Sequence, residues 1–384
     1  MVRNLRYTDR AKARVTYKPG TMAGRTVWRF PLVPGTTVIA HETAIPEQLW
    51  RCPRCKGQLI RGSDRLTCTA CSASYGFVGD IPDLRVPGAS WIDQAQDRSQ
   101  AGQLIAETRG LVYRDMIAWV FAKRSDWDKE RIDLRTEQII AAPERLRLEL
   151  EGWLEPLMKC EGYFLDVGCG NGTLLAAAAS LGRQGIGMDV SMVWLQIAAR
   201  MIKAYGGQPI LAAAMAEALP LADDTVSSVV SLDVIEHVAD PGRYLAEINR
   251  VTKQGGFLAL ATPNRFSIAA EPHVLLWGVG FLPRAWQKPY VRWRGANYEC
   301  TRLLSPSEVA RLMRRITQFR TTIMVSPISE LEIALFSNRR RLLARLYNRL
   351  LALGLRWLLL PICPFFRVVG IRSANEGPSG QTCT

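Results

Sequence analysis

The chain has 384 residues, of which 48% are hydrophobic and 22% are charged, a composition that excludes a disordered or fibrous protein and allows one large domain with a smaller module. Its formal net charge of +14 suggests a partner of opposite sign, such as nucleic acid, an anionic membrane or a phosphorylated substrate, without choosing among them. No run of eighteen apolar residues lacks a charge, so the sequence predicts no conventional membrane span.

The start of the chain, residues 1–49, is basic and rich in proline and glycine. Apart from strand-like fragments such as residues 26–30, this composition predicts a loosely structured extension. The segment has no apolar core of signal-peptide length, so we expect a cytoplasmic protein.

The next segment, residues 50–87, contains two Cys-x-x-Cys pairs, Cys52 with Cys55 and Cys68 with Cys71. Their spacing lets two turns face each other across a hairpin, so that four thiolates close a tetrahedral Zn2+ site. Four sulfur ligands leave no open position for a substrate, and the predicted role is therefore structural, in a module too small to be stable by its core alone. A redox dithiol or an iron–sulfur cluster is the alternative.

Residues 88–158 carry apolar residues at helical spacing and are predicted to be a helical linker. From residue 159 to 372, short apolar runs alternate with helical patterns, which predicts an α/β domain with a doubly wound, mostly parallel sheet. Strands are predicted at 162–167, 185–190, 209–213, 226–232, 256–261, 319–325 and 366–372, with helices at 173–182, 191–205 and 240–252 and one beginning near Ser305. The last residues, 373–384, are predicted to be a flexible tail.

A glycine-rich turn follows the first of these strands and precedes an alanine-rich helix. Gly168, Gly170 and Gly172 have no Cβ, so the backbone there can pass close to a ligand. The second strand ends at Asp189, whose carboxylate can accept hydrogen bonds from the two hydroxyls of a ribose. The third glycine comes too early for the Gly-x-Gly-x-x-Gly pattern of dinucleotide sites, so the turn predicts a nucleoside cofactor other than NAD.

These motifs resemble those of the class I S-adenosylmethionine methyltransferases, in particular the small-molecule and quinone methyltransferases, over residues 160–265. The resemblance implies a seven-stranded Rossmann-like sheet with S-adenosyl-L-methionine as the methyl donor. By this resemblance the cofactor-binding residues are Asp166, Gly168, Gly170, Asn171, Gly172, Asp189, Val190, Ala216, Glu217 and Leu232. Met215 stands where the family usually has an acidic residue, so the adenine contact is expected to be apolar or made by backbone.

Methyl transfer from a sulfonium depends mainly on holding a nucleophile in line with the methyl group. A hydroxyl acceptor also needs a general base, for which the candidates are His237, His273 and Glu236, with Asp233 beside them. The alternative for His237 is a structural hydrogen bond at the start of a helix. For His273 it is a packing role within an insertion.

Two insertions distinguish the predicted domain. Residues 264–300, which interleave aromatic and cationic side chains, are predicted to cover the acceptor pocket, where they suit RNA bases, an apolar acceptor with an anionic headgroup, or an ordinary packed lid. Residues 330–364 are predicted to be helical. Within them, residues 339–364 run from an arginine-rich half to an apolar half, a pattern typical of a peripheral anchor on the inner membrane face, with a buried helix pair as the alternative.

The sequence thus predicts methyl transfer from S-adenosylmethionine to a small amphipathic or lipid-linked acceptor. The alternative is an RNA base methyltransferase that binds RNA through the cysteine module and the basic surface. It is motivated by residues 75–84, which resemble the zinc ribbons that activate methyltransferases and those fused to some ribosomal RNA guanine methyltransferases.

Overall fold

The computed structural model describes residues 20–22, 25–27, 49–86, 92–124, 127–296, 298, 301–328, 333 and 338–373. The chain divides into two compact units, residues 1–42 and 43–384. In the first unit, strand β1 (Gly20–Met22) pairs antiparallel with β2 (Arg25–Val27). The rest of the predicted extension up to residue 48, including 28–30, and the predicted tail at 374–384 lie outside the described residues.

The cysteine module is a four-stranded antiparallel sheet formed by β3 (Leu59–Arg61), β4 (Arg65–Cys68), β5 (Ser74–Val78) and β6 (Ile81–Pro82). Lys56 and Ser72, each directly after a Cys-x-x-Cys pair, have positive φ angles of 59° and 57°, so the chain turns back sharply over the sulfur atoms. This hairpin arrangement matches the predicted ribbon.

The main sheet has seven strands in the order β12-β13-β11-β10-β7-β8-β9. These are β7 (Phe164–Val167), β8 (Gly185–Asp189), β9 (Ile210–Ala213), β10 (Val226–Leu232), β11 (Thr252–Pro263), β12 (Phe319–Val325) and β13 (Phe365–Arg372). Strands β7 to β11 are mutually parallel, and β13 runs antiparallel to both of its neighbours. The predicted doubly wound, mostly parallel α/β fold is confirmed. Strand β11 is longer than predicted because Thr252 already pairs with Val226 before a bulge.

Helices cover both faces of this sheet. They are α1 (Gln94–Glu107), α2 (Tyr113–Ala122), α3 (Lys129–Ile140), α4 (Ala142–Leu150), α5 (Glu155–Lys159), α6 (Thr173–Ser180), α7 (Met192–Ala204), α8 (Pro241–Val251), α9 (Arg284–Trp293), α10 (Pro306–Ile316), α11 (Asn338–Ala352) and α12 (Arg356–Leu359). At α10 the predicted cap is present, since the Ser305 hydroxyl accepts from the Glu308 amide at 3.3 Å and the Glu308 carboxylate accepts from the Ser305 amide at 2.8 Å. Among the described residues, no helix combines the length and the apolar character needed to cross a membrane.

The helices of residues 88–158, predicted as a linker, contribute to the core of the second unit. Leu104, Ile117, Leu150 and Leu157 are fully buried and belong to the same hydrophobic cluster as residues of α6 and α7. Full burial of one such side chain contributes about 2 kcal/mol. These helices therefore help to hold α6 and α7, the two helices that follow the glycine-rich turn and Asp189.

Candidate active site

The glycine-rich turn connects β7 to α6 and packs tightly against its surroundings. Gly168 has φ +75°, and a Cβ there would lie 2.2 Å from Val234 Cγ2. At Gly172, with φ +76°, a Cβ would lie 2.7 Å from Ala198 Cβ. The Gly168 amide donates to the Met188 carbonyl at 2.7 Å, which fixes the turn to the end of β8. Only glycine fits at these two positions.

Asp189 lies between this turn and the start of α7. Its carboxylate accepts hydrogen bonds of 2.8 Å from the backbone amides of Gly170 and Ser191. Burial raises the pKa of Asp189, and these two amides oppose that rise. The carboxylate thus has a fixed orientation at the carboxyl end of the sheet, where a ribose would meet it.

A cavity of about 700 Å³ opens at this edge of the sheet. Of the predicted cofactor residues, Gly168, Asp189, Val190, Ala216 and Glu217 line it, together with Met215. The other predicted cofactor residues do not line it, namely Asp166, Gly170, Asn171, Gly172 and Leu232. Asp166 is buried beneath the turn, where burial and the neighbouring Asp189 charge raise its pKa to about 8.

The cavity is also lined by the predicted acid–base residues Glu236 and His237 and by Asp233 beside them. Glu236 is buried and accepts a hydrogen bond of 2.9 Å from the Thr262 hydroxyl through Oε2, while its Oε1 is buried without a partner among the described residues. Burial and the nearby Asp233 carboxylate raise the pKa of Glu236 to about 7. Burial raises the pKa of Asp233 to about 6. Glu236 can therefore accept or donate a proton near neutral pH.

The two predicted histidines, although 36 positions apart, meet in the structure. His237 Nε2 lies 3.1 Å from His273 Nε2, and His273 Nδ1 lies 2.5 Å from a carboxylate oxygen of Glu271. The other Glu271 oxygen accepts from the amides of His273 and Val274 at 2.9 Å, so this buried carboxylate is held by backbone. Burial alone would lower the pKa of His273, but the hydrogen bond and charge of Glu271 raise it. The three groups form a chain that can accept a proton at the cavity.

Residues of the first insertion and of the loop before α10 contribute to the same cavity. Arg284, Gln287, Lys288, Tyr298, Thr301 and Arg302 line it. The Tyr298 hydroxyl is buried without a hydrogen-bond partner among the described residues, and the Arg302 amide donates to the Glu236 carbonyl at 2.7 Å. Glu271 and Arg302 were not predicted as site residues. One local signal could have identified Glu271, namely its position as an acidic residue two positions before His273.

The four cysteines of the ribbon lie close enough to bind one metal ion. Cys52 Sγ is 3.6 Å from Cys71 Sγ, Cys55 Sγ is 3.5 Å from Cys68 Sγ, and all four sulfurs lie within 4.8 Å of one another. A tetrahedral Zn2+ with bonds of about 2.3 Å separates its sulfur ligands by slightly less than 4 Å. Although burial opposes it, hydrogen bonds from Tyr75 and nearby groups lower the pKa of Cys52 to about 6. The donor set therefore fits Zn2+.

Comparison with known proteins supports the predicted resemblance. The family model described as a methyltransferase domain matches residues 165–260, from β7 into β11. The chain is 31% identical over 153 residues to a ubiquinone biosynthesis O-methyltransferase of Rhizobium rhizogenes, covering 38% of this chain and 56% of that protein. It is 34% identical over 134 residues to the protein so named in Parvibaculum lavamentivorans, covering 33% and 51%. The chain spans about half the length of these curated relatives.

Among solved structures, a SAM-dependent methyltransferase from Archaeoglobus fulgidus is 17% identical, with a TM-score of 0.40, covering 64% of this chain and all of that one. The family match covers the glycine-rich turn, Asp189 and residues 233–237, whereas the ribbon and the insertion at 264–300 lie outside it. The resemblance predicted from the motifs is confirmed for this segment.

Proposed function

We propose that the protein transfers a methyl group from S-adenosylmethionine to a hydroxyl of a small amphipathic acceptor, because residues 165–260 match the model of a methyltransferase domain. The observation that carries this proposal is one cavity lined both by Gly168 and Asp189 and by Glu236 and His237. The first pair suits a nucleoside cofactor, and the second suits removal of a proton from a hydroxyl.

In this proposal some residues bind the cofactor or the acceptor, and others accept the proton. S-adenosylmethionine supplies an electrophilic methyl group when bound. Asp189 would orient its ribose, and the apolar side chains of Met215 and Ala216 would contact its base. His237, backed by His273, would accept the proton of the acceptor hydroxyl. The buried oxygens of Glu236 and Tyr298, which have no partner among the described residues, would hydrogen-bond the acceptor.

Cofactor binding and acceptor chemistry test this proposal separately. Titration calorimetry with S-adenosylmethionine and S-adenosylhomocysteine should show one site per chain. Incubation with methyl-labelled S-adenosylmethionine and a panel of phenols and catechols, with and without an alkyl chain, should label the alkylated members best. Binding without labelling of any hydroxyl compound would reject the acceptor class, and absence of binding would reject the enzyme.

An exposed surface of apolar and cationic side chains is compatible with an amphipathic acceptor. Helices α11 and α12 and the turn between them expose six large apolar side chains, namely Leu342, Leu343, Leu346, Leu353, Trp357 and Leu358. Five exposed arginines lie between or beside them, Arg339, Arg340, Arg345, Arg349 and Arg356, and residues 338–359 contain no acid. We propose that this surface rests on an anionic bilayer, with the apolar side chains in the acyl region and the arginines at the phosphates.

Hydrogen bonds join the first insertion to the segment that follows α12. Trp277 is 68% exposed, and its indole donates to the Ile268 carbonyl at 3.1 Å. The Ile268 amide donates in turn to the Ile362 carbonyl at 3.1 Å, just after α12. The insertion, which lines part of the cavity, is therefore hydrogen-bonded to the proposed membrane-binding segment.

Sedimentation with vesicles tests this surface. The unaltered protein should sediment with vesicles of phosphatidylcholine and phosphatidylglycerol and much less with phosphatidylcholine alone. The double change Leu343→Glu and Trp357→Glu should reduce the bound fraction at least about tenfold, because each substitution removes apolar burial and adds repulsion. The matched control is Leu148→Glu on α4, at a site 62% exposed, which should bind as the unaltered protein does. Equal binding of both variants would reject the surface.

We also propose that the ribbon holds one structural Zn2+. Cys55→Ser with Cys68→Ser should reduce the metal content from one equivalent to none and lower the melting temperature markedly, because metal binding stabilises such a small module. Mass spectrometry of the metal and differential scanning fluorimetry would measure both. The control is Cys363→Ser, a buried cysteine outside the ribbon, which should retain zinc. Iron in place of zinc in the purified protein would contradict the proposal.

The comparisons give the RNA base methyltransferase alternative no support, since the named relatives are described by ubiquinone biosynthesis.

A further inference from the structure

The zinc ribbon is attached to the edge of the main sheet beside the cofactor site. The Leu84 amide donates to the Ala213 carbonyl at 2.8 Å, and Asp83 forms a parallel bridge with Ala213, the last residue of β9. Trp50 forms a second bridge, with Leu221. The end of the ribbon thus adds a very short eighth strand segment to the main sheet, beside β9. Strand β9 is in turn the neighbour of β8, which ends at Asp189.

A buried arginine extends from this segment to the cofactor loop. Arg85 binds Asp83 with two hydrogen bonds of 2.7 and 2.6 Å, and its Nη1 donates to Asp97 of α1 at 2.6 Å. The same Nη1 donates to the carbonyl of Val190 at 2.9 Å. The Arg85 side chain is completely buried, and Asp83 and Asp97 are nearly so. Val190 lines the cavity directly after Asp189, so the guanidinium lies behind the cavity wall.

Asp97 holds the other end of the same loop. Its carboxylate accepts from the Ser191 hydroxyl at 3.0 Å and from the Met192 amide at 2.8 Å, in the first turn of α7. The Ser191 amide in turn donates to Asp189. Residues 189–192 are therefore held from the cavity side by Asp189 itself and from behind by Arg85 and Asp97. Two separate segments, the ribbon and α1, meet at this loop.

Burial of these charged groups costs a desolvation free energy that an ion pair on the surface does not cost. Removing three charged groups from water is unfavourable unless every donor and acceptor is satisfied, and an apolar cluster would stabilise the same junction at least as well. What charged groups provide in addition is a fixed direction for each hydrogen bond. Here those directions fix the backbone on which the ribose-facing carboxylate is carried.

We infer that the zinc ribbon acts within the chain as a clamp on the cofactor loop, and that Arg85 is the positioning residue through which it acts. The inference rests on the proposed function, since it concerns the affinity of the same site for its methyl donor. The clamp makes no contact with the reacting atoms. It sets the position of Asp189, and the hydrogen bonds from this carboxylate to a ribose weaken steeply when their distance or angle departs from the optimum.

Calorimetry with S-adenosylhomocysteine on the full-length, zinc-loaded chain tests the inference. Arg85→Met should raise the dissociation constant by about tenfold or more. Ser191→Ala removes the hydroxyl's bond to Asp97 and its capping bond of 3.4 Å from the Trp194 amide, and it leaves no charge unpaired. It should raise the dissociation constant by a smaller factor and serves if Arg85→Met fails to fold. Amide hydrogen exchange should show faster exchange at Met192 in both variants.

Two matched controls separate positioning from stability. Arg98→Met removes the exposed partner of the same Asp83 carboxylate, and Arg372→Met removes an ion pair between β13 and Asp224, neither of which lines the cavity. Both should change the dissociation constant by less than about twofold, even where Arg372→Met lowers the melting temperature. If folded Arg85→Met and Ser191→Ala bind S-adenosylhomocysteine as the unaltered protein does, the clamp is rejected and the proposed function stands. If the unaltered protein binds none, both are rejected.

Discussion

Replacement of Asp189 by alanine is expected to raise the dissociation constant for S-adenosylmethionine by at least about 100-fold. The carboxylate would lose its hydrogen bonds to a ribose, and each bond to a charged group contributes about 1.5–3 kcal/mol, where 1.4 kcal/mol is a factor of ten. The variant also leaves the Gly170 and Ser191 amides without their acceptor, which loosens the glycine-rich turn. Titration calorimetry measures the effect.

Two further variants define what this result means. Asp189→Asn keeps an acceptor oxygen and should lose affinity by a smaller factor than alanine does. Asp223→Ala removes an exposed carboxylate from an ion pair with Arg250 and should leave the affinity unchanged. Affinity retained by Asp189→Ala in a folded protein would show that the methyl donor does not bind at this edge of the sheet.

Replacement of His237 by alanine is expected to lower kcat by about 100-fold or more with a phenolic acceptor, while the affinity for the methyl donor stays the same. The imidazole lines the cavity, and positioned general bases contribute about 10²–10⁴-fold. His273→Ala should have a smaller effect, because His273 acts on the acceptor through His237. Single-turnover rates at saturating cofactor separate this chemical step from binding.

The pH dependence of kcat provides an independent check on the same histidines. The pair must be neutral to accept a proton, and because Glu271 raises the pKa of His273, the rate should fall as the pH decreases through a value above 6.5. Glu271→Gln removes the charge and should move this acidic limb to lower pH. Asp233 and Glu236 also raise the pKa of His273, so the limb should move without disappearing. If the acidic limb of the pH profile stays at the same pH in Glu271→Gln, a group other than this histidine pair accepts the proton.

Local patterns in the sequence were sufficient for the elements of the sheet. Strand β10 and strand β12 have the predicted bounds, because runs of apolar and β-branched residues between turns express a strand preference that the buried sheet reinforces. The cap at Ser305 was also predictable, since it depends on groups within a few residues. The two cysteine pairs predicted a metal site for the same reason. The glycines at 168 and 172 were predictable from the turn between strand and helix, but their close contacts with Val234 and Ala198 were not.

What the sequence by itself determined about this protein is therefore its fold, its glycine-rich turn, its ribbon and the names of three acid–base candidates. Only the tertiary structure decided that His237 meets His273, that Glu271 stands behind them, and that Arg85 and Asp97 hold residues 190–192. Turns and strands follow from neighbours in the chain. The residues around position 85, in contrast, do not distinguish a buried arginine from an exposed one. The hydrogen bond from Arg85 to the Val190 carbonyl, 105 positions away, depends only on how the chain packs.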